Sequence, residues 1–326
     1  MDLKTTYMGL ELKNPIIVAS CGLSKTLSGI KKISDSGAGC VILKSLFEEQ
    51  ILAEMQEVEQ YAYSSAYTEG LDYLRSYKKE HSVEEYLNTL EEAKKISSIP
   101  IISSLNCVSS KEWFEFASKI EQSGADGLEL NISFANYDPK KSCEEIKAVY
   151  LDIVEKIIDK VSIPVSVKLG HNFSSLAHFS QKLVNRGVKG IVLFNRFYQS
   201  DIDIEKMELT SASPFSSSNE YSLPLRWIAA LSNTIEVEFS ASTGIHDGES
   251  AVKLLLAGAQ TVQVCSTLYK NKLTQVNKIL LDVEKWMKNH SFDSIDDFRG
   301  KLDRAHSDHP EKFDRLQYIK ALTGID

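Results

Sequence analysis

The sequence predicts an α/β protein, a (β/α)8 barrel with an N-terminal hairpin and insertions at the C-terminal face of the strands. Three observations predict it. Strand-like runs recur four times, a glycine follows each at a near-constant distance, and the stretches between carry helical periodicity. The chain has 326 residues, a natural length for one barrel of roughly 250 residues plus insertions.

Three of the runs open on proline: Pro15 to Ser20, Pro100 to Leu105 and Pro164 to Leu169. The run Ile235 to Ser240 resembles them without it. Proline fits the first residue of a strand because no ladder donor is needed there. Gly37, Gly124, Gly187 and Gly258 lie 22 to 24 residues beyond these starts, each followed by a second apolar run. A glycine so placed reads as a helix C-cap leading into a strand. In between, Trp113, Phe114, Phe116, Ala117 and Ile120 fall on one helical face, and Leu176–Leu183 and Ala251–Leu256 behave alike. Strand, helix, glycine, strand, four times over, gives eight strands in parallel. A doubly wound open sheet is the alternative. The regular quarter units, and a first unit without a Gly-x-Gly-x-x-Gly turn, favour closure. Thr6 to Lys13 reads as a hairpin closing the barrel bottom. Residues 46–98, with a loop around Tyr61–Tyr73, and the Ser-rich stretch 196–223 depart from the repeat as insertions after strands.

Composition narrows the function classes. A hydrophobic fraction of 43% and a charged fraction of 25% are those of an ordinary globular protein. A net charge of −8 argues against nucleic acid as a partner. No signal peptide and no membrane span are expected, and the five dispersed cysteines, without Cys-x-x-Cys spacing, read as free thiols in a cytoplasmic protein with no metal site.

At the C-terminal ends of the strands stand Ser20 and Gly22, Lys44 and Ser45, Asn106, Asn131 and Ser133, Lys168 and His171, Asn195, Thr243 and Gly244, and Ser266 and Thr267. Any one of them can simply mark where the chain returns to solvent. As a set they are rich in Lys and Asn, which suits an anionic or carbonyl-rich ligand. The last two strands end in small, turn-prone residues before helices, the arrangement barrels use for phosphate.

These residues resemble the dihydroorotate dehydrogenase family, FMN-dependent barrels that oxidise dihydroorotate to orotate in pyrimidine biosynthesis. The resemblance runs over Asn14–Ser20, Leu43–Ser45, Asn131 to Ser133 with Asn136, Val167–Leu169, Asn195, Thr243–Ile245 and Ser294–Leu302. It implies that residues 1–302 form an FMN-binding barrel and residues 303–326 an extension. It places Ala19, Ser20 and Gly22 against the flavin ring, Lys44, Ser45 and Lys168 near ring and ribityl oxygens, and Asn131 and Asn195 between flavin and substrate. Thr243, Gly244, Cys265 and Ser266 would hold the phosphate. Lys44, Asn131, Asn136 and Asn195 would touch a small anionic substrate. A cation beside the flavin N1–C2 region stabilises the anionic reduced form, which is the role implied for Lys168.

The departures mark a divergent, dihydroorotate dehydrogenase-like branch. Phe134 stands where the soluble enzymes carry a catalytic cysteine and the membrane-linked class a serine. The expected substrate loop near Ala62–Thr68 has no match, and two phosphate-loop glycines are replaced by Thr243 and Cys265. Ser133, Tyr137 and His171 are the candidates for proton transfer, His171 because imidazole titrates near neutrality. Cys21 reads as a packing thiol. A homodimer is expected, with fumarate, a nicotinamide cofactor reached through a partner subunit, or a small redox protein as electron acceptor. The alternative reading is an FMN-binding electron-transfer or interaction protein that has lost dihydroorotate oxidation because Phe134 replaces the cysteine.

Overall fold

The computed structural model describes residues 1–47, 69–106, 117–132, 138–196 and 200–307, and of 69–82 the backbone alone. Eight parallel strands close into the barrel: β3 (Ile16–Val18), β4 (Cys40–Ile42), β6 (Ile101–Asn106), β7 (Gly127–Asn131), β8 (Val165–Leu169), β9 (Gly190–Leu193), β12 (Glu238–Ser242) and β13 (Thr261–Val264). Closure runs through Val262 opposite Ile16 and through Val41 opposite Ile101. The short strand β5 (Leu46–Phe47) continues past β4 and pairs with the end of β6.

The strand starts follow the proline signals. Pro15, Pro100 and Pro164 each precede a strand by one residue, and their carbonyls accept from Val262, Val41 and Leu128 of the neighbouring strands at 2.9, 3.2 and 2.9 Å. Proline lacks the donor but keeps the acceptor, so it can open a parallel ladder. The unit without proline is displaced. Ile235 still donates to Leu231 O, finishing the helix Ser222–Leu231, and β12 starts three residues later than its apolar run suggests, at Glu238.

The four repeat glycines have φ of +90° (Gly37), +87° (Gly124), +95° (Gly187) and +108° (Gly258). Each lets the chain turn out of a helix in a conformation that a side chain resists. Helices Leu176–Val184 and Gly248–Leu256 occupy the expected stretches, and residues 117–122 are helical. The supposed loop Tyr61–Tyr73 is corrected in its second part: from Glu69 the backbone is already in the helix Glu69–Ile96. Its first part lies outside the described residues, as do 308–326.

Alternation along the strands separates two environments. Leu128 and Leu130, Val165, Val167 and Leu169, and Val262 and Val264 face the helices in the main core. The opposite residues line the barrel interior. At its N-terminal end the interior is apolar. The antiparallel hairpin of β1 (Thr5–Tyr7) and β2 (Leu10–Leu12) presses Tyr7, Met8 and Leu12 onto Ile17, Ile42, Ile102 and Val192. Gly190 makes room for this plug, since a Cβ there would lie 2.9 Å from Met8 and 3.0 Å from Tyr7. Towards the C-terminal end the interior turns polar, with Ser104, Glu129, Ser166, Lys168, Ser240, Ser242 and Gln263 all buried. That polarity positions the site.

The insertion after β9 carries an antiparallel hairpin, β10 (Ser200–Asp203) with β11 (Glu208–Ser211), on which the cross-strand pair Ile202 and Leu209 is solvent-exposed. It then returns across the barrel mouth through a 3-10 turn, Ser218–Tyr221. Among the described residues no helix is long and apolar enough to cross a membrane.

Candidate active site

A cavity of about 210 Å³ opens at the C-terminal ends of β3, β8, β9, β12 and β13. Eight residues singled out in the sequence line it: Ala19, Ser20, Lys168, Asn195, Thr243, Gly244, Cys265 and Ser266. Arg196, Pro214, Ser216, Ser242 and Gln263 complete much of the wall.

Lys168 is the central cation. Its side chain is 9% exposed, and its ammonium donates to Gln263 Oε1 at 2.9 Å. Gln263 Nε2 in turn donates to Glu129 Oε2 at 2.8 Å, and Glu129 Oε1 lies 3.7 Å from the ammonium. Neither Gln263 nor Glu129 stood out in the sequence. Both are mid-strand residues flanked by apolar neighbours. The available signal was the period of two, which turns a lone polar residue between core leucines or valines inward.

Four further candidates stand beside the cavity. Asn195 Nδ2 donates to Asn131 Oδ1 at 2.8 Å, and among the described residues the Asn131 amide nitrogen and the Asn195 carbonyl oxygen are left for other partners. Ser45 is buried and joins Ser20 and Ser104 in a hydroxyl chain of 2.9 and 2.8 Å. Gly22 is exposed beneath Tyr269, whose hydroxyl would lie 2.7 Å from a Cβ at that position. Lys44 is half-buried with its ammonium 4.3 Å from the centre of the Phe47 ring, and burial pulls its pKa down. So the two lysines differ: Lys168 lines the cavity, and Lys44 packs on an aromatic ring.

The phosphate-type corner is built from the 243–245 turn. Thr243 and Gly244 have φ of +84° and +78°, and Thr243 Oγ1 donates to Phe194 O at 3.2 Å. The following helix, Gly248–Leu256, is capped by Asp247, which accepts from Ser250 N at 2.8 Å, so that N-terminal donor is already used. The return of the insertion is pinned over this corner. Ser216 N donates to Ser266 Oγ at 3.0 Å, Lys270 donates to Ser216 O at 2.9 Å, and Ser216 Oγ lies 3.1 Å from His246 Nε2. Arg196 donates to Glu220 at 2.8 Å and to Ser213 O at 3.1 Å, tying the cavity wall to the same segment.

Two thiols meet at the edge. A hydrogen bond from Cys265 draws Cys21 below the ordinary thiol range, and Cys265 is pushed up correspondingly.

Of the three proton-transfer candidates, His171 alone is among the described residues. His171 is exposed, edge-on to Phe194 with ring centres 6.3 Å apart, and does not line the cavity. Ser133, Asn136 and Tyr137, with Phe134, lie outside the described residues.

The model of the family described as Dihydroorotate dehydrogenase matches residues 2–287. The chain belongs to that family. It is a divergent member of this family of oxidoreductases. It is 27% identical to a protein of Methanocaldococcus jannaschii named dihydroorotate dehydrogenase B (NAD(+)), catalytic subunit, over 88% of this chain and 94% of the relative. It is 25% identical to a protein of the same name from Thermoplasma volcanium, over 92% and 98%. It is also 23% identical to the dihydropyrimidine dehydrogenase (NADP(+)) of Arabidopsis thaliana, over 92% of this chain and 76% of that one.

Proposed function

We propose that this cavity binds FMN and that the chain is an FMN-dependent oxidoreductase acting on a CH–CH bond of a small anionic substrate, dihydroorotate by family default. The observation that carries the reading is the buried Lys168 ammonium, held by polar partners inside the barrel and lining a cavity whose walls combine amides, hydroxyls and a second cation, Arg196. That donor set suits a ligand with ring carbonyls at one end and a phosphate at the other. Bound there, FMN would supply hydride acceptance. The residues of the chain do the rest. Lys168 offers positive charge to an electron-rich ring edge. Asn131, oriented by Asn195, presents its amide nitrogen to a substrate carbonyl or carboxylate. Thr243 and Gly244 shape the turn for the phosphate.

The NAD-linked names of the two archaeal relatives support a nicotinamide cofactor, reached through a partner subunit, as electron acceptor. A second reading is favoured by one specific observation. Phe134 occupies the place of the family's cysteine, and a phenyl ring accepts no proton. On that reading FMN is bound and reduced, but dihydroorotate is not oxidised.

The test separates the two. Purified protein is expected to be yellow and to release FMN on denaturation, and Lys168→Ala is expected to lose FMN on desalting. Anaerobic dihydroorotate then bleaches the wild type and not Asn131→Ala. Ready chemical reduction without bleaching by dihydroorotate selects the second reading. Colourless protein that takes up no added FMN overturns both.

A further inference from the structure

We propose that Glu129 and Gln263 are positioning residues for the Lys168 ammonium, fixing its height in the barrel and how much of its charge reaches a ligand in the cavity. The proposal rests on the FMN reading above.

The three side chains come from β7, β13 and β8 and meet inside the barrel. Glu129 is 1% exposed, and its Oε1 has no hydrogen-bond partner among the described residues. A carboxylate so deeply buried and half satisfied draws positive charge towards itself. The nearest is Lys168, yet the ammonium stands 3.7 Å off, too far for a hydrogen bond. Gln263 keeps it there. Lysine can only donate and an ionised carboxylate can only accept, so the amide between them has one workable orientation, oxygen to Lys168 and nitrogen to Glu129. The amide therefore acts as a spacer. It transmits the pull of the carboxylate while preventing direct contact, and the ammonium stays in the cavity wall.

Two consequences have opposite sign. Removing the charge of Glu129 leaves Lys168 less neutralised, so an anionic reduced flavin is favoured more. Removing the spacer lets Lys168 drop onto Glu129, so the reduced flavin is favoured less. A residue that served packing alone would not split the two variants in this way.

The experiment uses FMN-loaded full-length protein, Glu129→Gln and Gln263→Met, with thermal melts to confirm folding and spectroelectrochemical titration of the bound flavin. Glu129→Gln is expected to raise the preference for reduced over oxidised FMN about tenfold, which is about 30 mV upward for a two-electron couple. Gln263→Met is expected to shift it downward by a similar factor and to speed FMN loss. An unmoved potential in Glu129→Gln, or shifts of the same sign in both, overturns the positioning role. If Gln263→Met does not fold, the sign of the Glu129→Gln shift decides alone. Wild-type protein that binds no FMN overturns the cofactor reading and this inference with it, whereas yellow protein with an unmoved potential overturns only the inference.

Discussion

Replacing Gly244 with alanine tests whether the turn after β12 is as tightly built as its contacts indicate. A Cβ on Gly244 would lie 2.1 Å from Tyr221 N and 2.6 Å from Glu220 C, both backbone atoms of the 3-10 turn over the cavity. Ordinary contact begins near 3.4 Å, so that backbone must retreat by more than 1 Å. The residue also has φ of +78°. Gly9 supplies the control, with φ of +75° and nothing within 4 Å of its Cβ. At Gly9 only conformation counts. The left-handed penalty of about 1–2 kcal/mol is partly offset by the about 0.4–1 kcal/mol gained from a stiffer unfolded chain. The net cost there is about 0.5–1 kcal/mol. At Gly244 the overpacking adds about 1–3 kcal/mol, giving about 2–4 kcal/mol in all. At about 2 °C per kcal/mol for a chain of this size, calorimetry of FMN-free protein should show Tm falling about 4–8 °C for Gly244→Ala and about 1–2 °C for Gly9→Ala. FMN retention should fall with the former only, because Glu220 holds the cavity residue Arg196 at 2.8 Å. A Gly244→Ala protein that melts within a degree of Gly9→Ala and retains FMN normally would refute the packing account of this corner.

Two further outcomes follow from the titrating groups. Iodoacetamide at neutral pH should modify Cys21 ahead of Cys40, whose thiol is pushed up by complete burial. Cys265→Ala should move the Cys21 rate profile to higher pH, and an ordinary thiol profile for Cys21 in the wild type would dismiss the hydrogen bond from Cys265. His246 has its pKa lowered by burial first and by the Lys270 charge second. The unfolded chain then takes up this proton before the folded one does, so this contribution to stability is present above the ordinary imidazole value and is lost as pH falls from there through the folded value. Melting curves from pH 7.5 to 5 should fall less steeply for His246→Gln, and identical slopes would show that the site contributes nothing.

Much of the fold was legible because its signals are local. A proline before a strand, a left-handed glycine behind a helix and a run of apolar residues at helical spacing each depend on a few neighbouring residues. The four repeats at 15–44, 100–131, 164–195 and 235–265 therefore announced the barrel. The exceptions had physical causes. Residues 232–235 prolong a helix end before β12 can begin, and the backbone from Glu69 joins a long helix. Strand-end residues such as Ser20, Asn195 and Thr243 were visible because a parallel barrel brings all its strand ends to one mouth.

What surrounds Lys168 was not legible. Its partner Gln263 lies 95 positions away in sequence, and Gln263 lies 134 from Glu129. No local pattern pairs a glutamate between leucines with a glutamine between valines. The sequence by itself determined eight strands, their helices and the end at which polar residues collect. Only the closed barrel decided which inward residues meet, because closure sets β13 beside β3 and turns alternate side chains of β7, β8 and β13 into one interior. There Gln263 bonds both the Lys168 ammonium and the Glu129 carboxylate, a relay across three strands that only closure brings together.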